Sequence, residues 1–457
     1  MLVPALAADC AWRLGSDGGD VEAALTDLGE PLDANVSFAD WLEGRRPAHL
    51  STNAGAGEVA FQGWRNFKEA FAPELIAQAV EETEIALGRP VSSCVDPFGG
   101  SGTTALASQF LGVRPLTIEV NPYLADLIEA KLTTYDVEQL IIDFKTVVEG
   151  ETSADYATPF AGAPATFVEP GVGGRYLFSK AVALRLASLR DRVARIDNEA
   201  SRRLMRVLLG AIALPVSNVV VSGKGRRYRR GWASREAAPE QVEQLFVDAT
   251  VRAIYEIRRY ERRKARAYSL LRGDARKLTP QDGEFDLAVF SPPYPNSFDY
   301  TDVYNVELWV CGYLNCSADN KSLRLSTLRS HVQIARPFDA PELGSTTLRS
   351  IAEQLEMVRS NLWNRHIPSM VSAYFADMCV IIERLQRSLV PGGRVYMVVG
   401  DSRYAGVQVP VATILNELSL ERGFAIAGEA PFRSMRASPQ QGGRPELKET
   451  LLTLTRR

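Results

Sequence analysis

The sequence predicts an α/β fold: a doubly wound, mostly parallel sheet of about seven strands with a helical insertion. Three observations carry the prediction. Short apolar runs of strand length alternate with helix-period segments, a glycine-rich turn joins one such strand to the helix after it, and about 130 residues of mainly helical pattern separate the early strands from the later ones.

Taken in order, residues 1–60 hold ten acids and three arginines and are rich in Gly, Asp and Ala, so they are expected to form a loose arm with one helix at most. Residues 72–87 place a proline at the start of apolar residues at helical spacing, which predicts a helix. A strand over 92–97 runs into Phe98-Gly99-Gly100-Ser101-Gly102-Thr103-Thr104, and the next helix closes on Gly112. A second buried strand, 115–120, and a second helix follow. The helical stretch at 136–265 interrupts the alternation. Strands return at 269–276, 285–294 and 394–402, the last after a helix stopped by Pro391-Gly392-Gly393. A second insertion covers 315–370, and two strands separated by a polar turn-rich segment end the chain.

Composition narrows the function classes. With 457 residues, 46% hydrophobic and 23% charged, the chain can bury two or three packed units. No apolar run is long enough for a bilayer and the N-terminus lacks a secretory pattern, so a cytoplasmic location and no membrane partner are expected. Five scattered cysteines without a CxxC pair and three distant histidines suggest neither disulfides nor a metal centre. Cys311 and Cys316 are expected to be small buried residues. The net charge of −3 hides an uneven distribution: Ser201 to Trp232 contains eight Lys/Arg and no acid. Within it Lys224, Arg226, Arg227 and Arg229 mix with glycines and with Tyr228 and Trp232. That composition suits a flexible loop making phosphate contacts and stacking, or simply a solvated charge run.

Asp96 to Thr104 carries the strongest signal. Glycines at the end of a strand let a ligand approach the backbone, and the following helix offers free N–H groups to an anion. Glu119, ending the next strand, is placed to accept hydrogen bonds from ribose hydroxyls, which argues for a nucleoside cofactor. Phe290-Ser291-Pro292-Pro293-Tyr294 ends another buried strand, where open α/β sheets place ligands. Two prolines fix carbonyls without competing N–H donors, Ser291 and the Pro292 carbonyl can accept hydrogen bonds from an amine, and Tyr294 offers a stacking face.

Together, DPFGGSGTT and SPPY resemble the motifs of the DNA amino-methyltransferases. The resemblance covers about residues 60–135 and 266–310 by motif, and 371–457 by pattern alone. It implies a Rossmann-like methyltransferase sheet, S-adenosylmethionine as cofactor and DNA as substrate, with a restriction nuclease as a potential partner and the oligomeric state left open. The implied cofactor-binding residues are Asp96, Pro97, Phe98, Gly100, Ser101, Gly102 and Thr103, with Glu119 on the ribose, Asp274 by the adenine and Phe67 in a short upstream motif. Ser291, Pro292, Pro293 and Tyr294 are the implied catalytic residues. Asn296, Asp299 and Tyr300 extend the substrate pocket. The chain then divides into an arm (1–60), a cofactor half (61–135), a helical insertion that can contact DNA (136–265), a catalytic part (266–314), a second insertion that can read the target (315–370) and C-terminal strands (371–457). In that family a leading Ser tilts the target toward cytosine N4 and a leading Asp toward adenine N6. An RNA enzyme acting on a guanine amine in tRNA is the alternative. Cytosine C5 chemistry needs a thiolate, and no Pro-Cys pair occurs.

Overall fold

The computed structural model describes residues 25, 28–33, 35–47, 49–50, 52, 56–65, 70–151, 159–222, 225–234, 238–263, 267–278, 280–436 and 446–457. Its main sheet contains β1 (Ser93–Asp96), β2 (Arg114–Glu119), β5 (Ser269–Arg272), β6 (Phe285–Phe290), β7 (Leu389–Gly400), β10 (Phe424–Arg436) and β11 (Glu446–Arg456). Two small hairpins supply the remaining strands: β3 (Val219–Ser222) with β4 (Gly225–Tyr228), and β8 (Ser402–Tyr404) with β9 (Val407–Val409).

The seven strands lie in the order β10-β11-β7-β6-β1-β2-β5. From β5 across to β7 every pairing is parallel, and β11 enters antiparallel between β7 and β10. Every residue of β1 and β6 is buried, as expected of a parallel sheet covered on both faces. The chain winds outward from β1 through β2 to β5 and, on the other side, from β6 to β7. The carboxyl ends of β1 and β6 therefore border the crevice where the strand order reverses. This is the expected doubly wound, Rossmann-like sheet.

Helices cover both faces: α1 (Glu74–Leu87), α2 (Thr103–Phe110), α3 (Pro122–Leu132), α4 (Val137–Glu149), α5 (Lys180–Ala194), α6 (Glu199–Ala213), α7 (Glu240–Arg259), then the short α8 (Tyr300–Val303), α9 (Asn305–Val310) and α10 (Ser317–Leu325), and finally α11 (Thr346–Met357), α12 (Ile367–Ser388) and α13 (Val411–Leu420). The inserted helices share a core with the sheet. On α7, Val242, Phe246, Val251, Ile254 and Ile257 recur at helical spacing and are buried in the same cluster as Cys94 of β1. On α6, Gly210 lets α3 approach, since a Cβ there would stand 2.4 Å from the Tyr123 ring. No helix among the described residues is long and apolar enough to cross a membrane.

Three expectations need correction. The described part of the arm is docked rather than loose: Trp41 stacks on Phe110 at 4.5 Å, and the Leu32 N–H donates to the Arg259 carbonyl at 2.8 Å. Sparse apolar residues widely spaced in sequence give no periodic signal, yet they converge on one surface. In the later part of the basic tract, β3 and β4 pair as a β-hairpin with Val219 buried at its base, in place of a flexible loop. Cys311 is buried as expected, but Cys316 is exposed at the start of α10.

Candidate active site

The loop after β1 is held mainly by its own neighbourhood. Asp96 Oδ1 accepts the Phe98 N–H at 2.8 Å, closing the turn. Glu119, at the end of β2, reaches across to accept the Gly100 N–H at 2.8 Å while its other oxygen accepts the Asn121 N–H at 2.7 Å. Gly100 and Gly102 have φ of +53° and +79°, a region that a side chain disfavours. Gly99 is required for space instead: a Cβ there would lie 2.3 Å from Thr117 Cγ2. Beneath the loop, Lys131 Nζ donates to the Ser101 carbonyl at 2.8 Å, and burial pulls its pKa down to about 7. Burial also pushes Asp96 and Glu119 up to about 7, against the N–H donors that favour their charged forms. Carboxylate oxygens have two lone pairs each, so the two acids can accept additional hydrogen bonds from a polar ligand.

The loop after β6 is held from far away in sequence. Ser291 Oγ lies 3.0 Å from the Val398 carbonyl of β7 and 3.2 Å from Tyr294 Oη, two acceptors within reach of its one proton. Tyr294 Oη in turn donates to Glu449 Oε1 of β11 at 2.9 Å. Burial drives the Tyr294 phenol well above its ordinary pKa, with the Glu449 carboxylate adding to the shift, so it stays protonated. Asn296 Oδ1 accepts the Phe298 N–H, and Asp299 caps α8 through the Thr301 N–H while pairing with Arg324 Nε at 2.6 Å. Phe98 and Phe290 pack at 5.8 Å, bringing the two loops together.

A cavity of about 370 Å³ joins them. Of the sequence-predicted residues it is lined by Asp96, Pro97, Phe98, Gly100, Ser101, Thr103, Glu119, Asp274, Ser291, Pro292, Pro293, Tyr294, Asn296 and Tyr300. Asp274 is bound by its neighbour Arg276 through Nε (2.9 Å) and Nη2 (2.8 Å). Gly102 and Asp299 are not among the lining residues and are the N-caps of α2 and α8. Phe67 and Lys224 fall outside the described residues. Arg226, Arg227 and Arg229 do not line the cavity. Arg226 pairs with Asp302 at 2.8 Å, and Arg229 donates to the carbonyls of Ser217 and Leu214, each at 3.0 Å, so its charge holds the base of the hairpin. Tyr228 and Trp232, expected to be available for stacking, pack against each other at 4.8 Å.

Sequence reasoning missed Phe71, Val398, Glu449 and Ser326 to Leu328, whereas Ser330 and His331 belong to the stretch of the second insertion, RSHVQIARPF, expected either to read DNA or to pack over the cleft. Glu449 stands in β11 among Glu446, Lys448 and Thr450, so no local pattern marked it. Within the RSHVQIARPF stretch nothing singled out His331 itself, because its significance comes from where the second insertion crosses the cavity.

Chemically, the cavity sets buried acids at one end against a proline-fixed acceptor pair and aromatic rings at the other. That arrangement suits a polar, hydroxyl-bearing cofactor beside a flat amine-bearing substrate.

No family model matches the chain. It is 27% identical over 403 residues to the Type II methyltransferase M.AvaI of Nostoc sp., covering 79% of each chain. With the Type II methyltransferase M.BsoBI of Geobacillus stearothermophilus it shares 24% identity over 416 residues, covering 80% of this chain and 79% of that one. A shorter match of 113 residues, at 27% identity, is to the Type II methyltransferase M.MjaII of Methanocaldococcus jannaschii and covers 25% of this chain and 18% of the other. Among solved structures, the glycopeptide N-methyltransferase MtfA aligns at 9% identity over 83% of this chain and 87% of its own, with a TM-score of 0.25. Over about four-fifths of its length, then, the chain is similar to Type II methyltransferases.

Proposed function

We propose that the protein is a site-specific DNA methyltransferase that moves the methyl group of S-adenosylmethionine to an exocyclic base amine, cytosine N4 in preference to adenine N6. One observation carries this reading: the DPFGGSGTT turn ending at Thr104 and the SPPY tetrapeptide beginning at Ser291, far apart in sequence, open into one cavity. The names of the relatives support it, since those proteins are Type II methyltransferases.

When bound, the cofactor supplies an electrophilic methyl on a sulfonium. The chain's residues do the rest. Asp96 and Glu119 offer carboxylate oxygens to the cofactor's polar groups, and the first turn of α2 offers N–H groups to its carboxylate. Ser291 and the Pro292 carbonyl accept the hydrogens of the target amine, letting its lone pair localise away from the ring. Tyr294 presents its face to the extruded base, held in place by Glu449. Holding amine and donor in line supplies much of the acceleration, and no covalent enzyme intermediate is needed. Arg227, exposed on the β3–β4 hairpin, contacts phosphate. The leading Ser291 favours cytosine N4 over adenine N6.

The test is expression in a bacterium lacking its own DNA methylases, followed by mass spectrometry of genomic nucleosides. N4-methyldeoxycytidine is the expected product. N6-methyldeoxyadenosine would replace the base assignment, and neither product from a folded, cofactor-binding protein would overturn the DNA reading.

A further inference from the structure

After α10 the second insertion crosses the cavity as a strap. At its start, Arg276, the partner of Asp274, donates to the Ser326 carbonyl at 3.3 Å. At its end, Ser297 donates its N–H to the Ser330 carbonyl at 3.0 Å, and the Val332 N–H donates to Ser297 Oγ at 3.3 Å. Ser297 itself sits at φ +59°, uncommon for a residue with a side chain. The strap thus runs from the Asp274 end of the cavity to the segment continuing SPPY, and it delivers His331 there.

His331 lines the cavity and is 1% exposed, yet neither ring nitrogen has a well-aligned hydrogen-bond partner, although the Gln333 side-chain amide stands beside the ring. Its Nε2 is 3.9 Å from Asp299 Oδ1, too far for a direct bond, and Asp299 already serves Thr301, Asp302 and Arg324. A buried imidazole left in this state is costly, and a ligand able to satisfy it recovers that cost. We infer that His331 is a base-contacting residue, its imidazole making a hydrogen bond to the polar edge of the target base opposite Ser291. This rests on the proposed DNA amine methylation.

A neutral imidazole donates through one N–H, matching the ring-nitrogen acceptor that adjoins the target amine, whose own hydrogens go to Ser291 and the Pro292 carbonyl. Burial keeps the ring neutral by lowering its pKa. Arg336 and Arg324 act in the same direction, while Asp299 and the nearby Gln333 amide oppose them.

The experiment compares wild type, His331→Leu, His331→Asn and His331→Gln in single-turnover transfer to methylase-free genomic DNA, with S-adenosylmethionine affinity measured by calorimetry. Leu is expected to leave cofactor affinity within about twofold and to slow transfer about 10- to 100-fold. Asn, which places a polar atom near the Nδ1 position, or Gln, near Nε2, is expected to restore about tenfold of the loss, a rescue that a purely structural role would not give. Leu transferring as fast as wild type, or Asn and Gln both as slow as Leu, would overturn the inference alone. Wild type binding cofactor without methylating DNA would overturn the proposed function and this inference with it.

Discussion

The loops after β1 and β6 stand at the ends of neighbouring parallel strands but are stabilised in different ways. The first is closed by hydrogen bonds from the Phe98 N–H to Asp96 and from the Gly100 N–H to Glu119, within 19 residues of sequence. The second depends on Val398 and Glu449, which lie 107 and 155 residues from their partners Ser291 and Tyr294. A local loop can be set once its two strands pair. A loop braced from β7 and β11 is correct only when the sheet is complete, so substitutions in distant strands should act on the second loop and spare the first.

The largest expected effect separates the two directly. Ser291→Ala should slow single-turnover methyl transfer by about 10²–10³-fold while leaving cofactor affinity within about twofold. Asp96→Ala should do the reverse, weakening cofactor binding by roughly 10- to 100-fold as its hydrogen bonds are lost. Calorimetry and rapid-quench kinetics on both variants would break the comparison if the effects were exchanged.

Glu449→Ala should slow transfer about tenfold with cofactor affinity unchanged, whereas Glu449→Gln, which keeps a carbonyl acceptor for Tyr294, should come within a few-fold of wild type. Equal losses in the two variants would show that charge, rather than the Tyr294 contact, is what matters.

pH sharpens the contrast further. Asp96 and Glu119 are raised to about 7, so cofactor binding that uses their charged forms should weaken as pH falls below about 7. For the cofactor-free protein the sign is opposite. The folded state holds protons that the unfolded state releases near pH ~4, so these two groups should cost stability as pH rises from about 4 to about 7. Thermal melts of Glu119→Gln should show a flatter dependence over that window.

The smallest effects fall on the basic hairpin. Arg227→Ala should reduce the salt dependence of DNA binding by about one unit of log–log slope. Arg229→Ala, whose guanidinium holds the Leu214 and Ser217 carbonyls, should instead lower the melting temperature and change the salt slope little.

How much is legible in the sequence follows from the range of the interactions. The strands are readable because a buried parallel strand is a short continuous apolar run, and the Asp96–Thr104 turn because its glycines and the carboxylates that bond them are close in sequence. SPPY is readable as a motif, but the residues that hold it are not. The docked arm escapes notice because Leu32 and Trp41 follow no period, although each meets a distant helix, Leu32 at Arg259 of α7 and Trp41 at Phe110 of α2.

The sequence by itself determined the sheet's alternation, the glycine turn and the acceptor-bearing tetrapeptide, because periodicity, backbone freedom and proline rigidity are properties of contiguous residues. Only the tertiary structure decided that Glu449 braces Tyr294, that Arg229 holds a hairpin, and that His331 enters the cavity. The first and last join segments whose separation in the chain leaves no local trace and which meet only when the sheet order brings β11 and the strap to their places, while Arg229 reaches carbonyls 12 and 15 residues away that only the folded hairpin presents to it.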